Sequence, residues 1–225
     1  VLGSGSASNA GLRYHRPGQE SAASVDVPMS TAARRGAGGL SRICAVVVRE
    51  RRDEMKALSV WQPHASLIAI GAKAIETRSW YTKYRGPLAI HASVKLMREQ
   101  WRMCMHEPFR SALTGAKLLF LDGHGIKDLL IIPTGAVITT CNLVDVRYML
   151  QGKLYRYENG AVIAGGEIPM PGEPELSFGD YTPGRFAWIL KDVQKLPEPI
   201  PAKGQQGLWT VPPEIEVIIT NEQGL

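Results

Sequence analysis

The window Gly71-Ala72-Lys73-Ala74-Ile75-Glu76-Thr77-Arg78-Ser79-Trp80 carries a carboxylate, a guanidinium and an indole at alternate positions. On a strand, side chains at that spacing share one face. Glu76, Arg78 and Trp80 would then form a row able to read a planar polar ligand by hydrogen bonding and stacking. Ile75, Thr77 and Ser79 fall on the opposite face, and Lys73 is expected at the mouth of the cleft. The plainer alternative is a solvated edge strand whose Glu–Arg pair contributes little.

Three further windows add polar groups. Trp61-Gln62-Pro63-His64 sits where a strand turns into a helix, a place where backbone N–H groups can meet an anion; a capping turn with a core Trp is the alternative. His91 and Ser93 share a face opposite Leu88 and Ile90, behind Arg85 and Gly86. His91 is a candidate proton shuttle, or a satisfied structural histidine. Lys203-Gly204-Gln205-Gln206-Gly207 forms a polar loop whose glycines let the backbone approach a ligand closely, or make a flexible hairpin connection. Cys104-Met105-His106 and Cys141 do not give a four-ligand spacing, so no metal is expected. Cys141 lies in an apolar strand and is expected to pack rather than react.

The elements that must position these groups follow from periodicity. Lys56 to Val60, Ala74 to Trp80, Pro87 to Ser93, Gly135 to Val146, Arg185 to Leu196 and Leu208 to Val211 read as strands. Gln62 to Ile70, stopped by Gly71, and Lys95 to His106 read as helices. Leu113 to Ile132 predicts a helical turn and loops, and Tyr148 to Gly184 a long turn-rich excursion. The result is an α+β, mainly β fold: a small barrel decorated with short helices.

The chain has 225 residues, 44% of them hydrophobic and 21% charged, which excludes a wholly disordered chain. No apolar run reaches the length of a membrane helix. Three cysteines without CxxC spacing exclude a disulfide framework and point to a reducing, cytoplasmic compartment. The net charge is +5, but residues 1–54 hold eight of the 26 Lys and Arg against five of the 21 acids. That segment is rich in Ser, Ala and Gly, and is expected to be a disordered or non-native N-terminal extension. The domain is expected to span 55–213, followed by a C-terminal tail over 214–225. The short apolar run Ile43 to Val48 is not read as a secretory signal, because charged residues follow it and it does not sit at the N-terminus.

Taken in order, Leu58-Ser59-Val60-Trp61-Gln62-Pro63-His64-Ala65-Ser66-Leu67, then Gly71-x-Lys73-x-x-Glu76-x-Arg78-Ser79-Trp80, then Tyr84-Arg85-Gly86-Pro87-Leu88-Ala89-Ile90-His91-Ala92-Ser93 resemble the ASCH domain family of the PUA-like superfamily. Gly135 to Val146, Phe186-Ala187-Trp188 and Pro201-x-Lys203-Gly204-x-x-Gly207-Leu208-Trp209 resemble its later segments. The resemblance implies a PUA-like β-barrel with a cleft that binds nucleic acid, chiefly RNA, or a nucleotide, without a cofactor. Carried onto this chain, it implies ligand contacts from Trp61, Gln62, Lys73, Glu76, Arg78, Trp80, Arg85, His91 and Lys203. Some small members of the superfamily are amidohydrolases acting on N4-acylated cytidine. Under that alternative Lys73 and Glu76 would be catalytic, with Glu76 standing where those enzymes carry Thr.

Overall fold

Side chains along Lys56–Val60 point alternately to the two faces, which sends Leu58 and Val60 into one core and Ala57 into another, the behaviour of a strand covered on both faces. The computed structural model describes residues 54–120 and 129–223. The expectations for residues 1–53, including Ile43 to Val48, lie outside the described residues. In chain order the elements are β1 (Lys56–Val60), α1 (His64–Ala69), β2 (Ile75–Arg78), β3 (Gly86–Ala92), α2 (Arg98–Cys104) and α3 (Phe109–Gly115). There follow β4 (Leu119–Phe120), β5 (Leu129–Leu130), β6 (Ala136–Leu150), β7 (Lys153–Glu158) and β8 (Ala161–Pro169). A 3₁₀ turn (Glu175–Phe178), β9 (Phe186–Pro201), β10 (Leu208–Thr210) and α4 (Pro213–Gln223) complete the chain.

The long strand β6 is the spine. One of its edges pairs with β9 from Ala136 to Tyr148. The other carries β3 as far as Leu143 and then β7 from Arg147. Beyond β3 the sheet continues through parallel β1 to antiparallel β10, and beyond β9 it continues to β2. Register shifts in the β6–β9 ladder mark bulges, which bend and twist both strands. The sheet thus curls until β2 nears β1, but among the described residues no main-chain ladder joins them. The fold is α+β and mainly β, a curled sheet left open at one seam.

The concave face encloses Leu58, Val60, Leu88, Ile90, Leu143, Val146, Trp188 and Leu190. Behind β1 and β3 a second cluster gathers Ala57, Ala89, Val137, Trp209, Ile215 and Ile219. The last two lie one helical turn apart on α4. The segment 214–225, expected as a tail, therefore forms a helix packed on the sheet up to Gln223. Pro213 suits a helix's first turn, where its missing N–H goes unmissed, so it opens α4 as well as closing β10. A third cluster joins Leu67 of α1 to Cys104, Phe109, Leu113 and Phe178.

The turn-rich stretch 148–184 holds a hairpin that periodicity alone does not show. Both turns place consecutive residues at positive φ, Gln151 and Gly152 (47° and 71°), then Asn159 and Gly160 (50° and 85°). That backbone matches the twist of a two-residue hairpin. β8 is almost wholly exposed, so it lacks the alternation that burial imposes on the other strands.

Candidate functional site

The site grows from the open seam. β10 pairs only with Lys56 to Leu58, so the Ser59 carbonyl has no strand beside it on that edge. Arg78, the last residue of β2, reaches across, and its Nη2 donates to Ser59 O at 2.9 Å. Its Nε lies 3.0 Å from Glu76 Oε1, so the two residues do share a face, as their spacing predicts. Glu76 Oε2 in turn lies 3.9 Å from Lys73 Nζ, and Glu175 Oε1 lies 3.8 Å from the same amine. Lys73 also donates to the Ile75 carbonyl.

Lys73 is 0% exposed, which corrects its expected place at the cleft mouth. Two residues after Gly71, its stem turns inward beneath β2 instead of into solvent. Burial pushes its pKa down, while the Glu76 and Glu175 carboxylates pull it back up. Glu175 does more than face the amine. Its carboxylate accepts the backbone N–H of Ala74 at 2.7 Å and of Ile75 at 3.3 Å, and the Tyr181 hydroxyl at 3.1 Å. A residue from the excursion thus fastens the first turn of β2. Phe178, edge-on to Phe109 at 5.0 Å, docks that excursion against α3.

Two cavities flank Arg78. The inner one, about 350 Å³, is lined by Trp61, His64, Glu76, Thr77, Arg78 and Arg185. Burial lowers the His64 pKa; Glu76 offsets this, and Lys73 and Arg78 reinforce it. Arg185 pairs with Asp180 at 3.2 Å. The cations around this cavity, Lys73, Arg78 and Arg185, are therefore matched by Glu76, Glu175 and Asp180. The outer cavity, about 570 Å³, is lined by Ser59, Trp61, Arg78, Trp80, His91 and Gly204. Trp61 and Arg78 belong to both, and Trp61 is 61% exposed.

In the outer cavity His91 Nε2 bonds the Ala202 carbonyl at 3.0 Å. A carbonyl only accepts, so Nε2 carries the proton and Nδ1 is left as an acceptor. Nδ1 is buried with no partner among the described residues. Burial lowers the His91 pKa, and the Ala202 bond partly raises it. The 203–207 segment crosses directly above the ring. A Cβ on Gly204 would stand 2.3 Å from His91 Cε1 and 2.5 Å from Nδ1, so only glycine fits there. Trp80 rests edge-on against the core Trp188 at 4.7 Å and offers its other side to the cavity.

The structure thus brings Trp61, Glu76, Arg78, Trp80 and His91 to one seam, with Lys73 beneath it. Gln62 is turned away from the cavities. It is buried, its Nε2 donates to Pro133 O, and its Oε1 accepts Ser66 N at 3.0 Å. It clamps the start of α1 to the chain before β6. Arg85 lies outside both cavities and lines a separate one beside β6: it directly precedes β3, and its Nη2 lies 3.7 Å from Asp145 Oδ1. Lys203 is exposed on the crossing segment. Sequence reasoning missed Glu175, Asp180, Tyr181 and Arg185, about 100 residues from β2 in the chain. Only the β2–β9 pairing, which sets Arg78 beside Phe186, gives a hint that Arg185 belongs there.

Elsewhere the chemistry is quiet. Burial pushes the Cys104 thiol up to about 11 and Cys141 to about 12, so neither is a ready nucleophile. No group of metal-ligating side chains converges among the described residues. No helix among them is long and apolar enough to cross a membrane.

Activating signal cointegrator 1 of Homo sapiens is 28% identical over 158 residues, 70% of this chain and 22% of that protein. The Mus musculus protein of the same name is 27% identical over the same extent. The chain therefore spans less than a quarter of these relatives' length. Two crystal structures of ASCH from Zymomonas mobilis, one a point mutant, align with 75% of this chain at 14% and 16% identity, with TM-scores of 0.38 and 0.39. They are covered over 94% and 97% of their own length. The ASCH domain model matches residues 58–199, from the core-facing Leu58 of β1 into β9, and with them the whole Lys73–Glu76–Arg78 array. The chain belongs to the ASCH domain family.

Proposed function

We propose that this domain binds single-stranded nucleic acid, chiefly RNA, with one base stacked on Trp61 and the adjoining backbone held by Arg78 and Arg185. The observation that carries this is the position of Trp61: a largely exposed indole on the wall between two cavities, beside a guanidinium that lines both. An exposed aromatic face flanked by cations suits an unstacked base. Glu76, which lines the inner cavity, is an acceptor suited to a base's N–H groups. The preference for RNA rests on the family. The inner cations are balanced by carboxylates, so affinity comes from stacking and directed hydrogen bonds rather than from a net basic rim. The buried free thiols Cys104 and Cys141 suit a cytoplasmic setting.

Fluorescence anisotropy with a labelled single-stranded RNA tests this. A stacked base contributes about 1–3 kcal/mol, so Trp61→Ala is expected to weaken binding about 5- to 150-fold. Trp61→Phe should restore part of it. Unchanged affinity for Trp61→Ala, with an unchanged melting temperature, would overturn the assignment. The lowered pKa of Lys73 supports a second reading, amide hydrolysis on an N4-acylated cytidine. Its full burial behind Glu76 favours the binder. Release of free cytidine, lost in both Lys73→Ala and Glu76→Ala, would reverse that preference.

A further inference from the structure

The edge of β6 that carries β3 and then β7 has a gap between them. β3 stops at Leu143 and β7 starts at Arg147, so the two strands fork around residues 144–146. The fork encloses a cavity of about 240 Å³, lined by Tyr81, Arg85, Asp145, Arg147, Arg156 and Tyr157. Arg147 and Arg156 are direct partners across the antiparallel pair, so two like charges lie side by side. That juxtaposition is destabilising by itself.

The carboxylates present fix these guanidiniums without cancelling them. Arg147 Nε donates to Asp145 Oδ2 at 2.7 Å, and its Nη1 to Gly166 O at 2.6 Å. Arg156 Nη2 donates to Glu158 Oε1 at 2.6 Å. Arg85 Nη2 lies 3.7 Å from Asp145 Oδ1. Lys83 also lines the cavity, so four cations face Asp145 and Glu158 alone. Around the inner cavity at the seam, by contrast, the charges balance. Each guanidinium has five N–H donors; Arg85 commits Nη1 to the Thr82 and Tyr84 carbonyls, and the donors left over are available to an oxyanion. Fork and seam are linked through the chain: Trp80 lines the outer cavity, and the next residue, Tyr81, lines the fork.

We infer that the fork is a second anchor, an arginine-lined pocket that takes a backbone phosphate of the same single strand whose base stacks on Trp61. This rests on the nucleic-acid function proposed above and extends it from one nucleotide to a run of several. The excess positive charge, planar donors and tyrosine walls suit a phosphodiester with its sugar. A free phosphate or pyrophosphate offers the same oxyanion chemistry, so strand length separates the two sources.

The test compares a dinucleotide, a ten-nucleotide single-stranded RNA and pyrophosphate, against wild type, Trp61→Ala and the double variant Arg85→Gln/Arg156→Gln. Loss of that one phosphate contact should reduce the slope of log affinity against log salt by about 0.7 for the ten-mer, with an affinity loss of about 5-fold at 0.1 M salt. Dinucleotide binding should stay within about 2-fold, because it does not reach the fork. Arg156→Gln removes a like-charged neighbour of Arg147 and should melt no lower than wild type; Arg156→Lys keeps the salt slope. Equal losses for both lengths, or none for the ten-mer, would overturn the fork while a Trp61→Ala defect left the seam standing. Pyrophosphate binding at the fork without a length effect would also overturn it, leaving a site for free anions. Absence of RNA binding by wild type, or indifference to Trp61→Ala at every length, would overturn the nucleic-acid function itself.

Discussion

Glu175 is the residue on which the site's assembly depends, and its removal is the sharpest test of how the excursion serves β2. The carboxylate accepts Ala74 N at 2.7 Å, Ile75 N at 3.3 Å and Tyr181 Oη at 3.1 Å, and faces Lys73 Nζ at 3.8 Å. Bonds to an ionised acceptor contribute about 1.5–3 kcal/mol each when buried. Here the Ala74 bond is exposed and the Ile75 bond long, so about 3 kcal/mol for the group is a fair sum. For a domain of this size a loss of about 3 kcal/mol lowers Tm by roughly 6–12 °C. Glu175→Ala should show that fall in a thermal melt, and Glu175→Gln, which keeps an acceptor but loses the charge, about half of it. A second readout follows from Lys73. Losing one of the two carboxylates that raise its pKa should lower that pKa further, visible in a lysine-selective NMR titration. A Tm shift below about 1 °C with an unmoved Lys73 titration would refute the claim that Glu175 fastens β2.

Two further outcomes follow from the geometry. Gly204→Ala would place a methyl 2.3 Å from His91 Cε1, so the crossing segment must lift; the variant should melt lower, and its His91 ring resonances should shift, whereas an unchanged spectrum would contradict the close approach. Burial holds the pKa values of His64 and His91 below the ordinary 6.5, so between pH 7 and pH 5 the unfolded chain binds more protons than the folded one. The stability they contribute is complete above 6.5 and is lost as pH falls through the folded values, so Tm should drop over that range, and less so in His64→Gln/His91→Gln; equal slopes in variant and wild type would show these histidines are not the cause.

Much of this protein is determined locally and is legible in the chain. The strand period of two runs through apolar stretches of β1, β3, β6 and β9, and those short runs, buried over adjacent residues, give the mainly β class. The same period puts Glu76 and Arg78 on one face, and the ordered set of motifs around them marks the ASCH family. What tertiary structure alone decided has a common cause: charge and burial depend on what lies across space. Lys73 looks like a rim cation in sequence and is sealed under the seam, because Glu76 and Glu175 converge on it from segments about 100 residues apart. Arg85 follows Trp80 closely in the chain but lines the fork, because Asp145 of β6 meets its guanidinium there. The last residues become a helix because Ile215 and Ile219 find the Trp209 cluster, a surface that exists only once β1, β3 and β10 are paired.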